Sequence, residues 1–193
     1  MAAVLKIDDT ELRPARLDNK IMRALLETEF ADAFERMELI DGVLIEMTPA
    51  KRRHAAAHSR ITFALHGAVS ADLEVLIDPR VYLGRNSMVG PDIAVARRGT
   101  DSDDVPVQHL LLAIEISDTS LRKDIVQKAR LYGAGGVAEY WVVDLENRKL
   151  HVHGGPGSKG YGAVAVRDWD EPVNPLFAPE LALDLGAILR DLQ

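Results

Sequence analysis

The segment Leu110-Leu111-Leu112-Ala113-Ile114-Glu115-Ile116 is the most hydrophobic run in the chain, and it constrains the fold more than any other. It falls far short of the ~18 apolar residues of a membrane span and has the length of a buried strand. A pattern of helical spacing follows from about 119 to 133, with Leu121, Ile125 and Tyr132 on one stripe. It stops before the glycines of Gly133-Ala134-Gly135-Gly136. A buried strand needs paired neighbours, and an amphipathic helix needs a sheet to lie on, so the expected core is a sheet covered by helices.

The remaining elements fit that plan. Helical spacing of Leu17, Ile21, Leu25 and Leu26 predicts a helix over 17–30, and a second is expected from His54 to about Ala71. Asp41-Gly42 divides two apolar runs between Met37 and Met47. A type I′ turn needs positive φ at both central residues, so the dipeptide marks a hairpin. Strands are expected at 73–83, broken by Asp78-Pro79, then at 92–96 and 110–116. Tyr140–Val143 and Leu150–His153 read as a hairpin, with one more strand at Tyr161–Arg167. The glycine-rich stretch 154–160 reads as a turn and lacks the spacing of a phosphate-binding loop. An apolar tail from Leu176 to Leu189 is expected to pack on the core. The fold class is therefore α/β or α+β, in one domain over 1–193 with a loose segment at 1–16.

Composition excludes some functions. With 193 residues and no cysteine, neither a disulfide framework nor a thiolate zinc site can form. Nothing in the first residues resembles a signal peptide, and no membrane span is present, so a cytoplasmic location is expected. The formal charge of −7 argues against tight non-specific binding to nucleic acid, although Lys51-Arg52-Arg53, Arg97-Arg98 and Arg122-Lys123 form local basic clusters.

Two carboxylates occupy costly positions. Asp92 follows Pro91 at the start of the apolar strand Ile93–Ala96, and Glu115 interrupts the run described above. Such charges either bind a hard cation such as Mg²⁺ or sit at strand ends, in solvent or capping the following helix. Lys128 tilts the balance. It falls on the inward stripe with Asp124 at its edge, while Arg122, Lys123, Gln127 and Arg130 fall on the outward face. A lysine so placed snorkels or works, and beside two strand carboxylates a working role is favoured. His54 and His58, four apart on a helix, have zinc-binding spacing but no third ligand nearby, so plain helix histidines are the simpler reading. Tyr140 and Trp141 are expected in the core.

These residues also carry a resemblance. Met37–Gly42, Pro91–Val95, Glu115-Ile116-Ser117, Asp124 with Lys128 and Tyr132, and Glu139–Asp144 together resemble the Uma-two family of the PD-(D/E)xK nuclease superfamily. The match spans roughly 25–190. The resemblance implies a restriction-endonuclease-like fold with a central mixed sheet flanked by helices, and an endonuclease acting on DNA with Mg²⁺, or Mn²⁺ in its place. It implies Asp92 and Glu115 as metal ligands, with Lys128 replacing the motif lysine that Ser117 lacks. Glu38, the hairpin glutamate, would complete the metal shell, with His54, Ser117 and Asp124 around it. Nuclease relatives also suggest a homodimer. The rival readings are a binding module that kept the fold without its chemistry, favoured by Ser117 and the acidic charge, and a metal-dependent hydrolase of other substrates.

Overall fold

In a computed structural model, residues 15–99, 102 and 104–192 are described. The segment expected to be loose, 1–16, lies outside them except for its last two residues. Arg16 is tied down, its guanidinium donating to the Asp41 carbonyl at 2.6 Å. No helix among the described residues is long and apolar enough to cross a membrane.

Two sheets form rather than one. The larger takes β3 (Leu73–Ile77), β6 (Ile93–Arg97), β7 (Leu110–Ser117), β8 (Glu139–Asp144), β9 (Lys149–Gly157) and β10 (Gly160–Asp168), in the order β10-β9-β8-β7-β6-β3. Only β7 and β8 run parallel, so it is the mixed sheet that was expected. The smaller, antiparallel sheet holds β1 (Met37–Ile40), β2 (Val43–Glu46), β4 (Val81–Leu83) and β5 (Ser87–Val89), in the order β2-β1-β5-β4. The Asp41-Gly42 turn is as anticipated, with φ of 50° and 82°. Strand β5 escaped the sequence because three residues are too few to show alternation.

Side-chain alternation assigns the two faces of the large sheet. Ile93 and Val95 of β6, Leu112, Ile114 and Ile116 of β7, and Trp141 and Val143 of β8 point one way. They meet Ala57, Ile61 and Leu65 of helix α2 (Arg52–His66) and the C-terminal Leu183, Leu185 and Leu189. The tail thus packs as expected, although Leu176 stays exposed. Ala94, Ala113, Tyr140 and Val142 point the other way, against Ile40, Val81 and Val89 of the small sheet. Glu115 belongs to this second face, between two layers.

Several boundaries differ from those read in the sequence. Helix α1 is Asn19–Leu26, capped by Asp18, and does not reach residue 30. Helix α2 starts two residues early and stops at His66. Residues 154–157, taken for turn, continue β9, leaving only Ser158 and Lys159 between the strands. The helix expected over 119–133 is a π-helix at Lys123–Lys128 that runs into helix α3 (Ala129–Ala134), which passes through Gly133 and stops only at Gly135. Helix α3 lies so close to the start of β10 that a Cβ on Gly133 would stand 2.4 Å from the Gly160 carbonyl carbon.

Beneath α3, His153 is buried between the rings of Tyr140 and Tyr161, with no partner for Nε2 among the described residues. Burial, with a smaller effect of His151, pushes its pKa down to about 4. An unfolded histidine titrates near 6.5, so below that pH the unfolded chain takes up a proton that the folded one refuses. This contribution to stability is complete above pH 6.5 and is lost as pH falls toward 4. Relative to a His153→Phe variant, wild type is expected to lose on the order of 1–2 kcal/mol over that window. Thermal melts of both proteins at pH 7.5 and 4.5 read this difference, and a gap that does not change with pH contradicts it.

Candidate active site

The site forms where the Glu115 end of β7, the start of β6, the hairpin strand β1 and the π-helix meet. Lys128, 5% exposed at its side chain, holds the centre. Its ammonium lies 2.8 Å from Glu115 Oε1 and 2.7 Å from Glu38 Oε1. An ammonium has three protons to donate, so one is left without an acceptor among the described residues. Tyr132 also donates to Glu115 Oε1, at 3.1 Å. Glu115 Oε2 makes no hydrogen bond there.

Glu38 is 1% exposed and holds two lysines, Lys128 through Oε1 and Lys123 through Oε2 at 2.8 Å, so neither oxygen is left to complete a metal shell as expected. Lys123 was placed on the outward face by 100° steps. The π-helix changes that phase, since its i→i+5 turns are wider than those of an α-helix, and Lys123 turns inward. Asp124 and Lys128 both stay buried on the site side. The expected inward stripe therefore holds, and the outward assignment fails for Lys123. Arg130 does face outward and pairs with Asp41.

Asp92 sits beside this group. Its Oδ2 accepts from the Ile116 amide at 2.6 Å and meets His54 Nε2 at 3.2 Å, while Oδ1 makes no hydrogen bond among the described residues. His58 Nε2 lies 2.6 Å from the Asp92 carbonyl oxygen. The two helix histidines thus hold the aspartate and do not pair with each other around a metal. Ser117 is buried, 3.4 Å from Ser120, and Ser120 bonds to the Asp124 carboxylate. Asp78, which sequence reasoning treated only as a strand breaker, stands next to Asp92, its amide donating to the Asp92 carbonyl at 3.1 Å.

Electrostatics follow from this crowding. Burial and the nearby Asp92, Asp124 and Glu38 carboxylates push the Glu115 pKa well up, against the pull of Lys128. Burial would also raise Glu38, but the two lysines outweigh it and hold its pKa down. Burial works against the Lys128 charge, and the Glu115 and Glu38 carboxylates more than offset it, so the ammonium stays protonated. Burial likewise opposes the Asp92 charge, but His54 and the Ile116 amide bring its pKa below the usual value. Asp78 and Asp124 are raised, mainly by burial. Carboxylates outnumber lysines here, and the cluster lacks positive charge.

The donor set can be tested against a metal. Among the described residues, no three His, Cys, Asp or Glu side chains converge to hold an ion unaided. Zinc, which takes three or four protein ligands, does not fit that set. Mg²⁺ does, because it keeps several waters and is commonly bound through one or two carboxylates. Asp92 Oδ1 and Glu115 Oε2 are the hard oxygens left free for it.

The signature of the Uma2 family, described as "Putative restriction endonuclease", matches residues 24–186. The chain belongs to the Uma2 family. It is thus a member of a nuclease family. The chain is also similar in structure to a putative nuclease belonging to DUF820 from Anabaena variabilis, with a TM-score of 0.61 and 22% identity over 81% of this chain and 91% of that one. That likeness concerns the fold, which is restriction-endonuclease-like as expected. A comparison with curated proteins finds no match.

Proposed function

We propose that this Uma2 protein is an endonuclease that hydrolyses phosphodiester bonds in DNA with Mg²⁺, or with Mn²⁺ in its place. One observation carries the reading: a buried, charged lysine with a spare proton stands beside two carboxylates that each keep an unbonded oxygen. Bound by Asp92 and Glu115, the ion would supply Lewis-acid contact and make water nucleophilic at neutral pH. Lys128 offers its third proton to the attacking water or to a phosphate oxygen, where negative charge develops. Glu38 serves as a positioning residue, since both its oxygens are taken by lysines and one of them fixes Lys128. Tyr132 and Lys128 orient Glu115 through one oxygen, and His54 with the Ile116 amide does the same for Asp92.

Position supports a nucleic-acid substrate despite the acidic net charge. Exposed Lys51 and Arg52 stand at the start of α2, the helix that brings His54 to Asp92, and exposed Arg122 precedes Lys123. Cations beside the site suit phosphate contacts. The third cluster lies at the far end of β6, where Arg98 is occupied by Glu74 and the Leu73 carbonyl.

The test is to incubate purified protein with supercoiled plasmid, single-stranded oligonucleotide and RNA under Mg²⁺, Mn²⁺ or chelator. Metal-dependent nicking or linearisation of plasmid is the expected result. Cleavage of RNA alone would replace DNA as the substrate. DNA binding without cleavage under either metal would establish the non-catalytic module instead.

A further inference from the structure

The two edges of the large sheet are built differently. Strand β3 is short, carries Glu74, and is followed by Asp78-Pro79, features that discourage another strand from pairing there. Strand β10 has nine residues and ends the sheet on the other side, so among the described residues its outer row of backbone groups has no strand partner. From Gly162 to Asp168 every residue is exposed, Val164 at 55% and Val166 at 57%. Between Gly160 and Val166 there is no charge and no proline. A long, uncharged, apolar edge of this kind is a template for a further strand.

We propose that β10 pairs antiparallel with β10 of a second copy of this chain, joining two six-stranded sheets into one. The strand's own sequence selects that occupant. Directly opposite residues of an antiparallel pair share a face, so a symmetric pairing must set one residue against its own copy. Placing Val164, the middle of Gly160–Asp168, at the two-fold axis overlaps all nine residues. Ala163 then faces the partner's Ala165, and Gly162 leaves room for the partner's Val166. Gly160 stands against the partner's Asp168, whose carboxylate is already paired with Lys149 of its own chain at 2.6 Å. No like charges oppose each other along the strip, although each whole chain carries −7 and its other surfaces are repelled by a second copy. The homodimer expected from nuclease relatives thereby gains a specific surface, and one that stands independently of whether the site cleaves DNA.

Light scattering coupled to size exclusion, over a concentration series of the full chain, tests this. Wild type is expected at twice its 21.2 kDa chain mass. Val164→Lys sets two ammoniums against each other at the axis and is expected to weaken the dimer at least tenfold. Its circular dichroism should not change, because the side chain is already exposed in the single chain. The chain has no cysteine, so Val164→Cys provides a second reading: under mild oxidation it should give a covalent dimer. A wild type that is monomeric at all concentrations overturns the proposal. So does a dimer that Val164→Lys leaves intact and Val164→Cys does not cross-link.

Discussion

Lys128→Met is expected to lower the cleavage rate on the order of 10²-fold or more while leaving DNA binding nearly unchanged. That is the pattern of an interaction made in the transition state, because the spare proton meets charge that develops only there. Methionine suits the apolar stem of the site, but the structure adds a cost that the stripe pattern did not show. The lysine is counter-ion to two buried carboxylates, and removing one partner of such a group typically costs about 3–5 kcal/mol. A slow variant could therefore be a poorly folded one. Adding Glu38→Gln to Lys128→Met separates the effects, since it removes one of the stranded charges. The double variant is expected to recover much of the melting temperature and none of the turnover. If it recovers turnover as well, Lys128 has only a structural role.

Asp92→Asn is expected to abolish both cleavage and the thermal stabilisation that Mg²⁺ or Mn²⁺ gives wild type. The amide keeps an oxygen to accept from Ile116 and has nearly the same shape, so the backbone link between β6 and β7 can survive. What changes is the charge offered to the ion. A ligand present at a hundredfold excess over its dissociation constant stabilises the native state by about 2.7 kcal/mol. For a chain of this size that amounts to a shift of roughly 5–10 °C. Titration calorimetry with both ions gives the affinity directly. Equal affinity in wild type and variant would remove Asp92 from the set of metal ligands, whatever the variant does to cleavage.

Much of the candidate site was legible before any coordinates, and the reason is local. Asp92 and Glu115 stood out because each is a charge in an apolar segment. Lys128 stood out because it falls on the apolar stripe of the following helix. Those signals depend on burial, and burial imprints a period on the sequence. Lys123 failed the same test, since a uniform 100° step cannot represent a π-helix. Asp78 failed for another reason. Its role follows from the pairing of Ile77 with Ile93, which brings the end of one strand beside the start of another. Glu38 was singled out only by resemblance, and its two lysine partners were invisible because Lys123 lies 85 residues away.

The sequence by itself determined most of the elements, their order along the chain, and which residues bore an unexplained charge. Periodicity and turn chemistry at Asp41-Gly42 are short-range properties, so they can be read without knowing what lies opposite. Only the tertiary structure decided that the hairpin joins a second sheet, that Lys123 turns inward, and which oxygen of each carboxylate stays free. Those outcomes depend on groups distant in sequence competing for the same donors, such as His54 and the Ile116 amide at one oxygen of Asp92. A burial pattern records that a charge has been taken out of water. It does not record the partner that makes this tolerable.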